Sequence, residues 1–409
     1  MKYFVLLGDG MADLPVRELG GKTPLQAATI PVADSLSAHS LCGMVQTVPD
    51  GMEPGSGPAN MSVMGYDPRK YYTGRSPLEA VSLGIQMNPV DIVFRCNLVS
   101  LEKPRHDSSY EECLMLDYSS GEILTAESAE LIRDLGVALS SDIIRFFPGR
   151  SYRHCMVWEN GPITSLLTPP HDISGKVIAE YLPSGDRSDI LLDLMKKSVK
   201  ILSDHPVNQS RRARGLRTAD SIWLWGQGTR PDLPSFESVY GKKGAVISAV
   251  DLVFGIGRCA GLDVIEVPGA TGTLASNLTG KAQAAIDCLS SGTDYIYLHV
   301  EAPDECGHQG DVRGKVEAIS RIDREILQPV YEYLEKSRQL TGENYRIMFL
   351  PDHPTPISIR THTGEAVPFL LYDSSEYRDS GISDYSESSA GSTGVHFSSG
   401  PELFERFIR

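Results

Sequence analysis

The chain is a succession of short apolar runs, each broken by Gly, Asp or Pro. Residues 3–7 form an uninterrupted apolar run that stops at Gly8, the pattern of a strand buried on both faces of a parallel sheet. Runs of the same kind recur at 43–48, 221–225, 245–250, 264–267, 294–300, 345–350 and 367–372. Helical patterns lie between several of them. One covers 281–289. A longer one covers 312–336, where Val316, Ile319, Ile322, Ile326, Val330 and Leu334 recur at helical spacing. Strands alternating with helices predict an α/β domain with a mostly parallel sheet flanked by helices.

Residues 96–210 depart from this alternation. They add apolar runs at 143–147 and 155–158, helical patterns at 125–134 and 190–202, and a polar stretch at 204–210 that reads as a hinge. The expected organisation is a catalytic domain built from 1–95 plus 211–409, interrupted by an inserted α+β domain at 96–210. The Ser- and Gly-rich segment 383–399 reads as a loop before a short terminal helix at 401–409.

Composition narrows the function classes. A length of 409 residues with 41% hydrophobic content suits two domains. The net charge of −15 and the lack of a long basic run argue against nucleic acid as a partner. Such a chain handles phosphate only by concentrating positive charge locally, with metals or a few arginines. Seven dispersed cysteines without a C-x-x-C pair imply reduced thiols and a cytoplasmic location. The first apolar run meets an acid at Asp9, as a core strand does and a signal peptide does not. No apolar stretch reaches the roughly 18 residues of a membrane span, so no membrane partner is expected.

The chemistry gathers just after the strands. In open α/β sheets, ligands bind at the carboxyl ends of strands. Asp9, Asp304 and Asp352 each follow an apolar run closely, and His362 precedes another. Three carboxylates at one rim repel unless cations neutralise them. Asp304 and His308, four apart, share one face of a helical turn and reach one ion. His362 completes a three-ligand N/O site with them. Asp352 and His353 are adjacent, so their side chains diverge, which suits a loop between two ions stiffened by Pro354 and Pro356. Ser56 sits between Gly55 and Gly57, where a tight turn admits a phosphate. A helix beginning there would present free N–H groups to an anion, and a metal would lower the hydroxyl pKa. The set reads as two divalent cations around an activated serine: phosphoryl transfer to or from a small phosphorylated metabolite. Lys281 is a further cationic candidate beside a phosphorylated Ser56. Its run, 269–281, is not a P-loop, because Ala275 replaces the first glycine and Ala282 the Ser/Thr.

Several motifs carry a family resemblance. They are Gly55-Ser56 through Gly65-Tyr66-Asp67-Pro68, Tyr71-Tyr72-Thr73-Gly74-Arg75, Pro303-Asp304 through Gly307-His308, Asp352-His353-Pro354-Thr355-Pro356, and His362 through Val367-Pro368-Phe369. Together they resemble the archaeal-type, 2,3-bisphosphoglycerate-independent phosphoglycerate mutases of the alkaline phosphatase superfamily, over nearly the whole chain. The resemblance implies an alkaline phosphatase-like fold. It implies one metal on Asp304, His308 and His362, another on Asp9, Ser56, Asp352 and His353, transient phosphorylation of Ser56, and no need for 2,3-bisphosphoglycerate. The N/O donors suit Mn2+ or Zn2+, with Mg2+ less favoured by three histidines.

Two departures bear on the substrate. Where these mutases usually carry Gly-Ser-Asp-Thr-Ala-His, this chain has Gly55-Ser56-Gly57-Pro58-Ala59-Asn60. Where they carry Asp-Arg-Arg-Ala-Gly-Arg, it has Asp117-Tyr118-Ser119-Ser120-Gly121-Glu122, which lacks three guanidinium forks. Arg153, Arg75, Arg230 and Asn60 are therefore the substrate-binding candidates, and Asp117 the candidate acid/base. The same departures resemble a sister branch proposed as homoserine kinase. The expected activity is interconversion of 3-phosphoglycerate and 2-phosphoglycerate, with the insert excluding water from phosphoserine. Homoserine kinase-like transfer and phosphomonoester hydrolysis are the alternatives.

Overall fold

The computed structural model describes residues 1–105 and 107–409. The chain divides into two compact units, Met1–Tyr72 with Asp232–Arg409, and Thr73–Pro231. The first unit holds an eight-stranded sheet. Its strand order is His396–Phe397, Leu41–Val45, Val367–Asp373, Tyr345–Leu350, Lys2–Gly8, Tyr295–Val300, Gly244–Ser248, Asp263–Glu266. Only Val367–Asp373 runs against its neighbours; the other pairings are parallel. The apolar runs read from the sequence are buried here because both faces are covered. Phe4, Leu6, Ile296 and Leu298 share one core with Ala282 and Leu289 of helix Leu278–Ser290, Ile319 of Val312–Ile322 and Val330 of Gln328–Thr341.

Three local expectations change. The helix expected across 312–336 is interrupted by a π-helical turn, Asp323–Leu327. The Ser- and Gly-rich 383–399 segment contains a helix, Glu387–Ser392, and a short edge strand, His396–Phe397. The polar stretch at 204–210 is mostly helix, Pro206–Ala213, with the His205 side chain accepting from the Val207 N–H at its start. No helix among the described residues is long and apolar enough to cross a membrane. All seven cysteines are free thiols.

The second unit is an antiparallel sheet of five strands. Asp91–Glu102 pairs with Leu114–Asp117, Arg153–Glu159 and Ser221–Thr229, and Ile144–Arg150 pairs with Arg153–Glu159. Helices Thr125–Leu139 and Ser188–Ser203 cover it, sharing its core through Leu131, Leu135, Leu191 and Met195. Residues 221–225, expected in the main sheet, belong here. Pairing from Ile92↔Thr229 to Val99↔Ser221 ties both flanks of the expected insert into its own sheet. The boundaries therefore fall at 72/73 and 231/232, outside the expected 95/96 and 210/211.

Candidate metal centre and nucleophile

Three adjacent parallel strands of the first unit assemble the site. Gly8 is in register with Val300, and Leu7 with Leu350, so the residues just beyond these strands emerge at one edge. Asp9 follows the central strand, and its N–H donates to the Val300 carbonyl at 2.9 Å. Helix Ala302–Gln309 begins where the neighbouring strand ends and carries Asp304 and His308 one turn apart. The segment between Leu350 and Val367 carries Asp352, His353 and His362.

The seven residues singled out in the sequence come together here. His308 Nε2 lies 3.2 Å from Asp304 Oδ2, His362 Nε2 lies 3.5 Å from Asp304 Oδ1, and the two imidazole nitrogens face each other at 3.0 Å. Asp9, Asp304 and His353 form a second cluster, with ligand atoms within 4.8 Å of one another. Asp304 thus stands between the two clusters. Asp352 Oδ2 is 3.4 Å from His353 Nε2. Ser56 Oγ lies 3.3 Å from Asp9 Oδ2 and 3.4 Å from His353 Nε2.

Ser56 opens helix Ser56–Val63, which has no side-chain cap at its N-terminus. Its free N–H groups and dipole favour an anion beside the hydroxyl. Gly57 is required there: a Cβ would lie 2.6 Å from the Tyr72 ring. Gly10 adopts φ +59°, and a Cβ on it would meet Thr355 Oγ1 at 2.5 Å and Asp304 Oδ1 at 2.6 Å. Thr355 Oγ1 itself donates to Asp304 Oδ1 at 2.5 Å.

The donor set fits divalent cations. Asp9, Asp352 and His353 are at most 1% exposed, and Asp304 is 6% exposed. Buried carboxylates at this density require counter-charge. Asp9 Oδ1 is buried and accepts no hydrogen bond among the described residues, an acceptor left over for an ion. Burial, then the charges of Asp352 and Asp304, push the Asp9 carboxyl well above its ordinary range. Burial opposes ionisation of Asp304 too, yet hydrogen bonds with His308 and His362 hold it well below its usual range. The same bond with Asp304 raises His308 to about 9. Burial lowers His353 and holds the neighbouring His299 down to about 3. Cations on these residues would replace the protons that the acids and imidazoles now share.

Of the other expected residues, Asn60 and Lys281 belong to the first unit. Asn60 is fully buried, and both its amide hydrogens are spent within the protein, on Ser56 O at 2.9 Å and Asp352 Oδ2 at 2.8 Å. It ties Asp352 to the backbone of Ser56. Lys281 is also fully buried. Its ammonium donates to the His299 carbonyl at 2.8 Å, and burial pulls it down to about 8. It braces the strand end instead of facing an open rim. Asp117 belongs to the second unit and anchors a turn, accepting from Ser119 N and Oγ, Gly121 N and Arg217. Although burial opposes it, these bonds hold its carboxyl below the ordinary value.

The arginine candidates are also carried by the second unit. Arg75 donates to Glu79 at 2.8 Å, Arg153 lies over the Tyr152 ring at 5.5 Å, and Arg230 is exposed. Arg95 was not among the sequence candidates. It is buried, pairs with Glu79 at 2.9 Å and lies over the Trp225 ring at 4.9 Å. Burial lowers its guanidinium to about 10. Its signal in the sequence is a lone cation inside the apolar run Ile92-Val93-Phe94-Arg95-Cys96. His299 and Tyr297, in the apolar run 294–300, were missed for the same reason.

Comparison with known proteins agrees with this geometry. The family model described as 2,3-bisphosphoglycerate-independent phosphoglycerate mutase matches residues 37–208. A probable mutase of this kind from Geobacter sulfurreducens is 48% identical over 408 residues, covering 100% of both chains. A mutase from Methanothrix thermoacetophila is 47% identical, again covering 100% of both. Among solved structures, the cofactor-independent phosphoglycerate mutase of Thermoplasma acidophilum aligns with a TM-score of 0.64 at 25% identity, covering 100% of this chain and 99% of its own. With such identity along its entire length, the chain belongs to the 2,3-bisphosphoglycerate-independent phosphoglycerate mutases.

Proposed function

We propose that this protein interconverts 3-phosphoglycerate and 2-phosphoglycerate through a phosphoserine at Ser56. The observation that carries the reading is the placement of the Ser56 hydroxyl beside Asp9 and His353, whose cluster shares Asp304 with the donor set of Asp304, His308 and His362. Asp304, His308 and His362 would hold one divalent cation, and Asp9, Asp352, His353 and Ser56 the other. Bound there, Mn2+ or Zn2+ supplies Lewis acidity that lowers the serine pKa and offsets charge on the transferring phosphoryl group.

The chain's own groups then account for the transfer. Ser56 Oγ, 3.3 Å from Asp9 Oδ2 and 3.4 Å from His353 Nε2, gives up its proton. It forms a bond to phosphorus as the ester O–P bond of 3-phosphoglycerate breaks. The departing oxygen takes a proton and becomes the 3-hydroxyl of glycerate. Glycerate then presents its 2-hydroxyl, whose oxygen bonds to phosphorus as the Oγ–P bond breaks, and Ser56 regains a proton. The uncapped first turn of helix Ser56–Val63 stabilises the phosphoryl oxygens. Arg75 and Arg153 are proposed to bind the substrate carboxylate, on the chemistry of guanidinium.

The names of the relatives favour phosphoglycerate over homoserine as the substrate. An enolase-coupled assay with 3-phosphoglycerate and Mn2+ tests the proposal. The wild type is expected to produce 2-phosphoglycerate, with phosphate found on residue 56 by mass spectrometry. Ser56→Ala is expected to lose at least about 10³-fold in kcat. No 2-phosphoglycerate from metal-loaded wild type removes the proposal.

A further inference from the structure

Strand Tyr295–Val300 is buried along its whole length. Apolar side chains would fill it without leaving polar groups to satisfy. Yet it carries a phenol at 297 and an imidazole at 299, two residues apart and hence on one face of the strand. Each belongs to a hydrogen-bond chain that ends on a carboxylate of the Ser56 cluster.

The first chain runs from Ser248 through His299 to Asp9. The Val250 N–H donates to Ser248 Oγ at 3.1 Å, so the serine hydroxyl proton is free to point elsewhere. His299 Nδ1 lies 3.1 Å from that hydroxyl, and His299 Nε2 lies 2.9 Å from Asp9 Oδ2. A bare Nε2 facing a carboxylate oxygen would be repelled. With Asp9 ionised, as a bound cation would hold it, the ring carries its proton on Nε2 and donates to Asp9, while Nδ1 accepts from Ser248. Asp9 Oδ2 is thereby engaged, and Oδ1 is the oxygen left without a hydrogen bond.

The second chain runs from Tyr297 through Asn60 to Asp352. Tyr297 Oη donates to Asn60 Oδ1 at 2.7 Å, which fixes the amide orientation. Asn60 then directs one N–H to Asp352 Oδ2 and the other to the carbonyl of Ser56. Asp352 Oδ1 is held by the N–H groups of Gly10 at 3.0 Å and His353 at 2.9 Å. One amide thus ties the orientation of a carboxylate to the backbone of the nucleophile.

We infer that Tyr297 and His299, with Asn60 and Ser248 as their relays, are positioning residues that orient Asp9 and Asp352 toward the cation at Ser56 and leave the Asp304–His308–His362 site untouched. The inference rests on the metal-binding part of the proposed function and not on its substrate. Partners that orient metal ligands in this way change metal affinity by about 10–100-fold.

Calorimetric titration of metal-free protein with Mn2+ tests it without an activity readout. Wild type is expected to show two binding events. Tyr297→Phe and Ser248→Ala, which each remove one hydroxyl, are expected to weaken one event about 10-fold and leave the other unchanged. His299→Leu is expected to weaken the same event further, and His299→Gln, which keeps a donor near the Nε2 position, to recover much of the loss. A purely structural role would lower thermal stability and spare the ratio of the two constants. Wild-type constants at both sites in folded Tyr297→Phe and Ser248→Ala overturn the inference and leave the mutase reading intact. Loss of one event in an enzyme that makes no 2-phosphoglycerate does the reverse.

Discussion

Lys315 shows how a residue remote from the chemistry supports it. Its ammonium is fully buried and donates to Asp13 Oδ2 at 2.7 Å, the Thr355 carbonyl at 2.8 Å and the Ala12 carbonyl at 3.3 Å. It therefore clasps the loop after Asp9 to the loop that carries His353. Removing one partner of a buried pair leaves an uncompensated charge and costs about 3–5 kcal/mol. Lys315→Met should destabilise the protein by that amount in urea denaturation, and the double change with Asp13→Asn should recover part of it. A single variant as stable as wild type would sink this account. At this scale, residue type and position after a strand singled out side chains that do gather at one edge of the sheet. Asp117 and Asn60 have the right functional groups, but neighbours consume them. Whether an acceptor is already occupied depends on groups that no local pattern names.

The π-helical turn Asp323–Leu327 is the element-scale counterpart. The extra residue in this turn brings Asp323 beneath helix Pro31–Ser37, where it accepts from Val32 N at 3.2 Å and Ala33 N at 2.8 Å. Burial outweighs these bonds and raises its carboxyl to about 6. The sign follows from proton linkage. Between the unfolded pKa near 3.8 and about 6, the folded state holds a proton that the unfolded state has lost. The carboxyl's contribution to stability is complete below that window and declines as pH rises through it, by about 3 kcal/mol in total. Wild type should therefore lose about this much relative to Asp323→Asn between pH 3.5 and pH 7.5. Urea midpoints of both proteins across that range provide the check, and parallel pH profiles would contradict it. The hydrophobic spacing at 312–336 was legible because it repeats every three to four residues. The π turn was not, because one added residue shifts the helical phase without breaking the apolar pattern.

On the scale of the whole molecule, the second unit has its own sheet and core. Its ends also meet: Thr73 Oγ1 donates to the Thr229 carbonyl, and a Cβ on Gly228 would lie 2.2 Å from Thr73 O. A Thr73–Pro231 fragment is expected to fold alone, with a cooperative melt by circular dichroism and dispersed amide signals in NMR. A fragment cut at the sequence-derived limits, 96–210, would lose Ser221–Thr229 and should not. If both fragments are unfolded, the unit is not autonomous. The alternation of strands and helices, the presence of an α+β insert and the order of the candidate ligands along the chain were all determined by sequence, because each is a local pattern of polarity or residue type. What only tertiary structure decided is who meets whom. Ser56 and His353 are 297 residues apart, and Asn60 and Asp352 are 292 apart. Such pairs meet only through strand order and register in the completed sheet, and so do the insert's true limits and the bonds that link Tyr297 and His299 to the carboxylates.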